Sequence, residues 1–348
     1  MKTFFKWTAG FLMLLVLIYL AGPEPAPVQL NGTLPTLSSS SLTALEQEIA
    51  ASEKAMPGLK PDNQARIVWF DSLHKEKTRY SLVYLHGFGA SQAEGAPVHT
   101  DLARQFGCNI YLARLQDHGL QQDNVFANLT PESYLETAKR AVAVGKAIGE
   151  NVIVIGTSAG GALTLYIASA NPEIKGVILY SPAVDLYLKS SVLINKPWGL
   201  QIMQTLTGSD FLEFEREDSL ESQYWCAQYR LEGVVTLKSL IDATMTEETF
   251  QKVKCPVFLG YYYKDEKEHD DVVSVPAMLH MYDQLGTPEE LKTKVAFPQA
   301  GHHVIASYIR SNDWQNVNAQ TAEFMQNVLH LQPVSPLDNR PKIAELLH

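Results

Sequence analysis

The sequence predicts an α/β chain built on a mostly parallel sheet with helices on both faces. Strand-like and helix-like runs alternate along most of its length, and several apolar runs end in glycine-bearing turns. The residues able to do chemistry fall just after those runs. Ligands of open sheets bind at the carboxyl ends of the strands, so this distribution is the one a functional site would have.

Strands are expected at 66–70, 80–85, 109–112, 152–155, 175–180, 256–262 and 293–297, where β-branched and aromatic residues cluster between turn formers. Helical patterns near 131–148, 161–170, 273–285 and 315–330 separate them and supply the crossovers that parallel strands require. A further short amphipathic helix is expected over 41–56, with Leu42, Leu45, Ile49 and Met56 able to pack.

A chain of 348 residues with 46% apolar content can bury a large core, so one catalytic domain with an insertion is expected rather than several domains. The formal charge of -10 offers no basic stripe to neutralise phosphates, which argues against a nucleic-acid binder. Cys108, Cys226 and Cys255 cannot all pair within one chain, and no CxxC or HExxH spacing suggests a metal. Neither a metal nor an organic cofactor is expected, and no specific protein partner.

The N-terminus reads as a separate element. Lys2 and Lys6 precede the uninterrupted apolar run 11–20, the pattern of a signal sequence or a marginal membrane anchor over residues 1–21. The Pro-, Ser-, Thr- and Gly-rich stretch 22–40 reads as a flexible tether. These features predict a membrane partner and an extracytoplasmic location, either anchored or exported after cleavage near Ala21. The domain itself is expected over 41–330, and 331–348 as a polar tail.

The most informative motif is Gly156-Thr157-Ser158-Ala159-Gly160, directly after the run Val152-Ile153-Val154-Ile155. A serine nucleophile is held in this way on a tight strand-to-helix turn, where small neighbours allow the strained backbone and the following helix offers amides to developing negative charge. A second glycine motif, His86-Gly87-Phe88-Gly89-Ala90-Ser91, closes the strand at 80–85.

Together these motifs resemble the α/β-hydrolase family of serine hydrolases. The resemblance implies oxyanion donors at the amides of Phe88, with Gly89 as the alternative, and Ala159. It also implies a histidine after the last central strand, which Gly301-His302-His303-Val304 matches. The family pattern places that histidine two residues after the glycine, favouring His303 over His302. The acid is less sharply placed. Asp270, ahead of Val272-Val273, fits best; Asp265 fits a count from the strand end, and Asp271 remains an alternative. The order serine, acid, histidine differs from the chymotrypsin and subtilisin orders. The interval 185–249, with Trp198, Phe211, Phe214, Tyr224, Trp225 and Tyr229, resembles the family's cap insertion.

The expected function is serine-dependent hydrolysis of a carboxylic ester, a lipid or other acyl ester among them. A thioesterase or amidase of the same mechanism is the nearest alternative. A non-catalytic membrane-tethered binding protein on the same scaffold is the alternative of another class.

Overall fold

The computed structural model describes residues 2–216 and 218–335. The chain runs α1 (Lys2–Leu20), α2 (Leu42–Lys54), β1 (Arg66–Val68), β2 (Thr78–Leu85), α3 (Val98–Gln105), β3 (Asn109–Leu112), α4 (Pro131–Ile148), β4 (Gly149–Thr157), α5 (Ala159–Ala170) and β5 (Gly176–Tyr180). It then leaves the sheet through α6 (Gly199–Thr207), β6 (Phe211–Glu213), α7 (Ser219–Tyr224), β7 (Gln228–Arg230), α8 (Leu231–Thr244) and α9 (Glu247–Lys252). The last elements are β8 (Val257–Tyr261), α10 (Val275–Gln284), β9 (Lys292–Ala296) and α11 (Trp314–Asn327).

The seven-stranded sheet has the order β1-β3-β2-β4-β5-β8-β9, with β1 antiparallel and the rest parallel. Every strand expected from the sequence is in it. The two-residue period of a strand sorts the core into two layers. Val83 and Leu85 of β2, Val152 and Val154 of β4, and Val257 and Leu259 of β8 face one layer, with Tyr134 and Leu135 of α4, Leu163 of α5 and Met278 of α10. Leu82 and Tyr84, Ile153 and Ile155, and Phe258 face the other, with Leu102 of α3 and Phe324 of α11. Burial on both faces explains why these strands read as solid apolar runs.

The excursion between β5 and β8 forms a mostly helical cap, pinned by the small β6-β7 hairpin. Two elements escaped the sequence reading. Helix α3 is short, with mixed polarity, and the hairpin strands have three residues each. The stretch between α1 and α2 has no regular structure, yet it lies on the domain: Asn171 Nδ2 donates to the carbonyl of Gly32 and Tyr166 Oη to that of Leu30.

The anchor expectation is corrected. Among the described residues no helix is long and apolar enough to cross a membrane. Helix α1 forms, but its unbroken apolar stretch begins only at Phe11. At 1.5 Å per residue that stretch is ~15 Å long, about half of a bilayer's hydrocarbon thickness. The turns before it carry Lys6, Thr8 and Gly10. The membrane partner falls with the anchor, and so does the anchored form of the extracytoplasmic placement. Of the expected tail, residues from 336 onward lie outside the described residues.

Candidate active site

Strand β4 ends against helix α5 with no intervening loop, and Ser158 sits at the junction with φ 53° and ψ -120°. A non-glycine residue at positive φ is strained, so the surroundings must hold it. They do so through the backbone: the Ser158 amide donates to Tyr180 at 3.0 Å, and its carbonyl accepts from Gly161, Ala162 and Ala183. The turn also requires glycine at position 160, because a Cβ there would lie 2.0 Å from the Leu85 carbonyl oxygen.

The loop after β2 runs beside this turn. His86 is fully buried; its Nδ1 lies 2.9 Å from the Gly87 carbonyl, and its Nε2 is 3.1 Å from the Leu115 amide. Nδ1 therefore donates and Nε2 accepts, which fixes the neutral tautomer. Burial agrees, pushing the pKa of His86 down to about 4. With the Gly87 carbonyl so held, the next amide, that of Phe88, is left pointing away. Among the described residues neither the Phe88 nor the Ala159 amide donates to a protein acceptor. Gly89 has φ 73°, and its carbonyl accepts from the Cys226 amide of the cap at 2.7 Å.

Asp270 and His303 come from the segments after β8 and β9. The Asp270 carboxylate is fully buried: Oδ1 accepts from the amides of Val272 and Val273, each at 3.0 Å, and Oδ2 lies 2.6 Å from His303 Nδ1. Burial would raise the pKa of Asp270. The His303 charge, the hydrogen bond from His303 and the two amides outweigh it and hold the carboxyl below its ordinary value. For His303, burial would lower the pKa, but the Asp270 charge and hydrogen bond prevail, helped by Glu94 and Asp271, and the pKa is raised. His303 Nε2 is buried and has no protein partner among the described residues.

The competing positions are placed differently. Asp265 is exposed, and its Oδ1 closes a local turn by accepting from Lys267 and Glu268. Asp271 is exposed at the rim of the cavity. His302 Nδ1 accepts from the Val304 amide at 2.9 Å, and burial, then the neighbouring His303 and Arg310 charges, push its pKa down to about 4.

Ser158, His303, His302, Phe88 and Gly89 all line one cavity of about 680 Å³ under the cap. No hydrogen bond joins Ser158 to His303 among the described residues, and such contacts are often long in ligand-free sites. Apolar walls come from Leu186, Leu212, Phe214, Val234 and Leu237, and Trp225 and Tyr229 close the cap side. Arg216 and Arg310 stand at one end, Arg216 donating to the Cys226 carbonyl and Arg310 paired with Glu221 at 2.7 Å. Among the cavity residues absent from the sequence reading is one buried carboxyl. Glu94 is buried at 3% exposure, and its Oε2 accepts from the Gly87 amide at 2.5 Å. Its only sequence signal is an acid set among small residues, Ala93 before it and Gly95 and Ala96 after it.

The curated thermostable monoacylglycerol lipase of Bacillus sp. (strain H-257) is 26% identical over 116 residues, covering 33% of this chain. The match spans just under half, 46%, of that relative's length. Among solved structures, one from work on LipS and LipT, two metagenome-derived lipolytic enzymes, aligns with a TM-score of 0.59 at 20% identity, over 77% of this chain and 99% of its own. The Paleococcus ferrophilus monoacylglycerol lipase aligns with a TM-score of 0.56 at 14% identity, over 75% and 97%. At such identities these structures speak to the fold. Residues 82–315, about two thirds of the sequence, match the alpha/beta hydrolase family along the stretch that carries every candidate residue above, and the chain belongs to that family.

Proposed function

We propose that this protein hydrolyses carboxylic esters through an acyl-enzyme on Ser158. The observation that carries the reading is the buried Asp270–His303 pair opening into the same cavity as a serine held at positive φ. Ser158 Oγ attacks the acyl carbonyl while His303 Nε2 takes its proton, and Asp270 fixes the imidazole tautomer and stabilises its cation. The carbonyl oxygen becomes an alkoxide facing the amides of Phe88 and Ala159, each such donor contributing about 3 kcal/mol to the transition state. Collapse expels the alkoxide leaving group, which receives the proton from His303. Water then attacks the acyl-enzyme, giving its proton to His303, and the carboxylic acid and free Ser158 are released.

The apolar wall formed by Leu186, Leu212, Phe214, Val234 and Leu237 suits the acyl part of a lipid-like ester, and the similarity to a monoacylglycerol lipase points the same way. The cap is read as residues 185–249 within a domain spanning 41–330. The test is fluorophosphonate labelling of the full chain, followed by p-nitrophenyl esters of increasing acyl length. Labelling of the wild type and none of Ser158→Ala is expected, with turnover rising beyond acetate. Unchanged turnover in Ser158→Ala would remove that residue from the mechanism, and strict preference for acetate would defeat the lipid version.

A further inference from the structure

Glu94 is a carboxyl with no role in the steps above, yet it stands among the groups that perform them. It lies on the short turn that follows the oxyanion loop, and it lines the cavity with Ser158 and His303. Its Oε2 takes the Gly87 amide at 2.5 Å, one peptide before the Phe88 donor. Its Oε1 and Ser158 both border the Gly87 α-carbon: a Cβ placed on Gly87 would be 2.8 Å from Oε1 and 3.0 Å from Ser158 Cβ. Bracing a loop does not of itself require a carboxyl, because a neutral amide also accepts a backbone N–H and costs less to bury.

We propose that Glu94 is a positioning residue of the reaction, holding the oxyanion loop through Gly87 and sharing the cavity with His303 so that the base works between two carboxyls. This rests on the ester-hydrolase reading. The groups around Glu94 are few. Tyr84 of β2 reaches Oε2 at 3.4 Å and shares a 3.0 Å hydrogen bond with Thr157 at the end of β4. Tyr134 of α4 is buried nearby, and His99 of α3 packs edge-on to Tyr84 with its Nε2 on the Gln92 carbonyl. Burial holds His99 neutral, with a pKa pushed down to about 4. His303 is the facing base, and the Glu94 charge is among the causes that raise its pKa. Burial raises the Glu94 carboxyl to about 7, against the opposing pull of the Gly87 amide and His303. Each protonation state of Glu94 presents His303 with a different field, so the two titrations are coupled.

The experiment follows the rate of fluorophosphonate labelling of Ser158 across pH in the full-length wild type and Glu94→Gln. Gln keeps an acceptor for Gly87 and removes the charge, so the rising limb should move down by about half a pH unit or more. Coincident limbs would overturn the coupling to His303. Glu94→Ala removes the acceptor as well, and kcat on p-nitrophenyl butyrate should fall about tenfold below that of Glu94→Gln at similar KM. Equal kcat in the two variants would overturn the hold on the oxyanion loop. If Glu94→Gln does not fold, the wild type decides: a limb broader than one ionisation supports the pairing, and a single-proton limb overturns it. A wild type that neither labels nor turns over the ester would instead sink the hydrolase reading, and this inference with it.

Discussion

His303 Nδ1 meets Asp270 Oδ2 at 2.6 Å, while the other oxygen of Asp270 is held by the amides of Val272 and Val273. The carboxylate is thus oriented by its own chain before the imidazole arrives. The two amides lie immediately downstream of Asp270, so the segment that provides the acid also aims it.

This arrangement separates the three acids of the loop. Asp270→Asn should lower kcat by about 10⁴, because an amide side chain favours the wrong imidazole tautomer. Asp265→Asn should leave kcat within about twofold, since an exposed turn-closing acid acts on local structure alone. Steady-state kinetics on the three single variants, Asp271→Asn included, decides; a larger loss in Asp265→Asn would reverse the assignment.

The pH dependence of activity and of stability should run in opposite directions. The His303 pKa is raised above the ordinary histidine value of 6.5, so the neutral base, and with it kcat/KM, should appear only as pH rises through that higher value. The stability contributed by the same shift is fully present below pH 6.5 and is lost as pH rises through the folded pKa of His303. The Asp270 contribution has the other sign. It is present above 3.8 and is lost as pH falls through the lowered folded value. Melting curves of wild type and His303→Gln, set beside pH–rate profiles, test the pairing; a wild-type rate limb at or below 6.5 would contradict it.

Gly160→Ala should fail by overpacking. The added methyl would meet the Leu85 carbonyl oxygen at 2.0 Å, and neither backbone can retreat without moving the β4–α5 junction. Destabilisation of about 1–3 kcal/mol in urea is expected, with loss of fluorophosphonate labelling. Wild-type stability with full labelling would show that the junction has slack.

A buried ion pair joins α2 to the loop after β3: Arg114 Nε lies 2.6 Å from Glu53 Oε2, and both side chains are under 10% exposed. Glu53 also accepts from the Ala65 amide at 3.1 Å. Glu53→Ala would strand a buried guanidinium and an amide, and should cost about 3–5 kcal/mol. Denaturant midpoints measure it; a change under about 1 kcal/mol would mean that Arg114 finds water.

The sheet was legible because its strands are buried on both faces and so are written as solid apolar runs. The Ser158 turn, and the place of His303 beyond the last central strand, were legible because strained turns and strand ends restrict residue choice locally. Helix α3 was not: it has an apolar face, but eight residues make only about two turns, too few for the period to stand out from its surroundings. Glu94 was missed for a different reason. Its meaning lies in a contact with Gly87 and in a cavity assembled from segments distant in sequence, and nothing in its own neighbourhood of small residues announces burial. The apolar N-terminal run misled because its composition resembles that of a spanning helix while its length does not.

The hydrogen bond from the Cys226 amide to the Gly89 carbonyl ties the cap to the loop that carries the Phe88 amide. The ring of Tyr229 packs 5.2 Å from that of Phe88, so the tie is reinforced by a side chain. Lifting this part of the cap would have to stretch that bond or drag the loop with it. With the Phe88 amide in its proposed role, the cap and that oxyanion donor share one mechanical coordinate. A ligand that wedges beneath the cap should then change the rate of the chemical step as well as its own affinity, and bulk tolerated by the walls should still be rejected at the transition state.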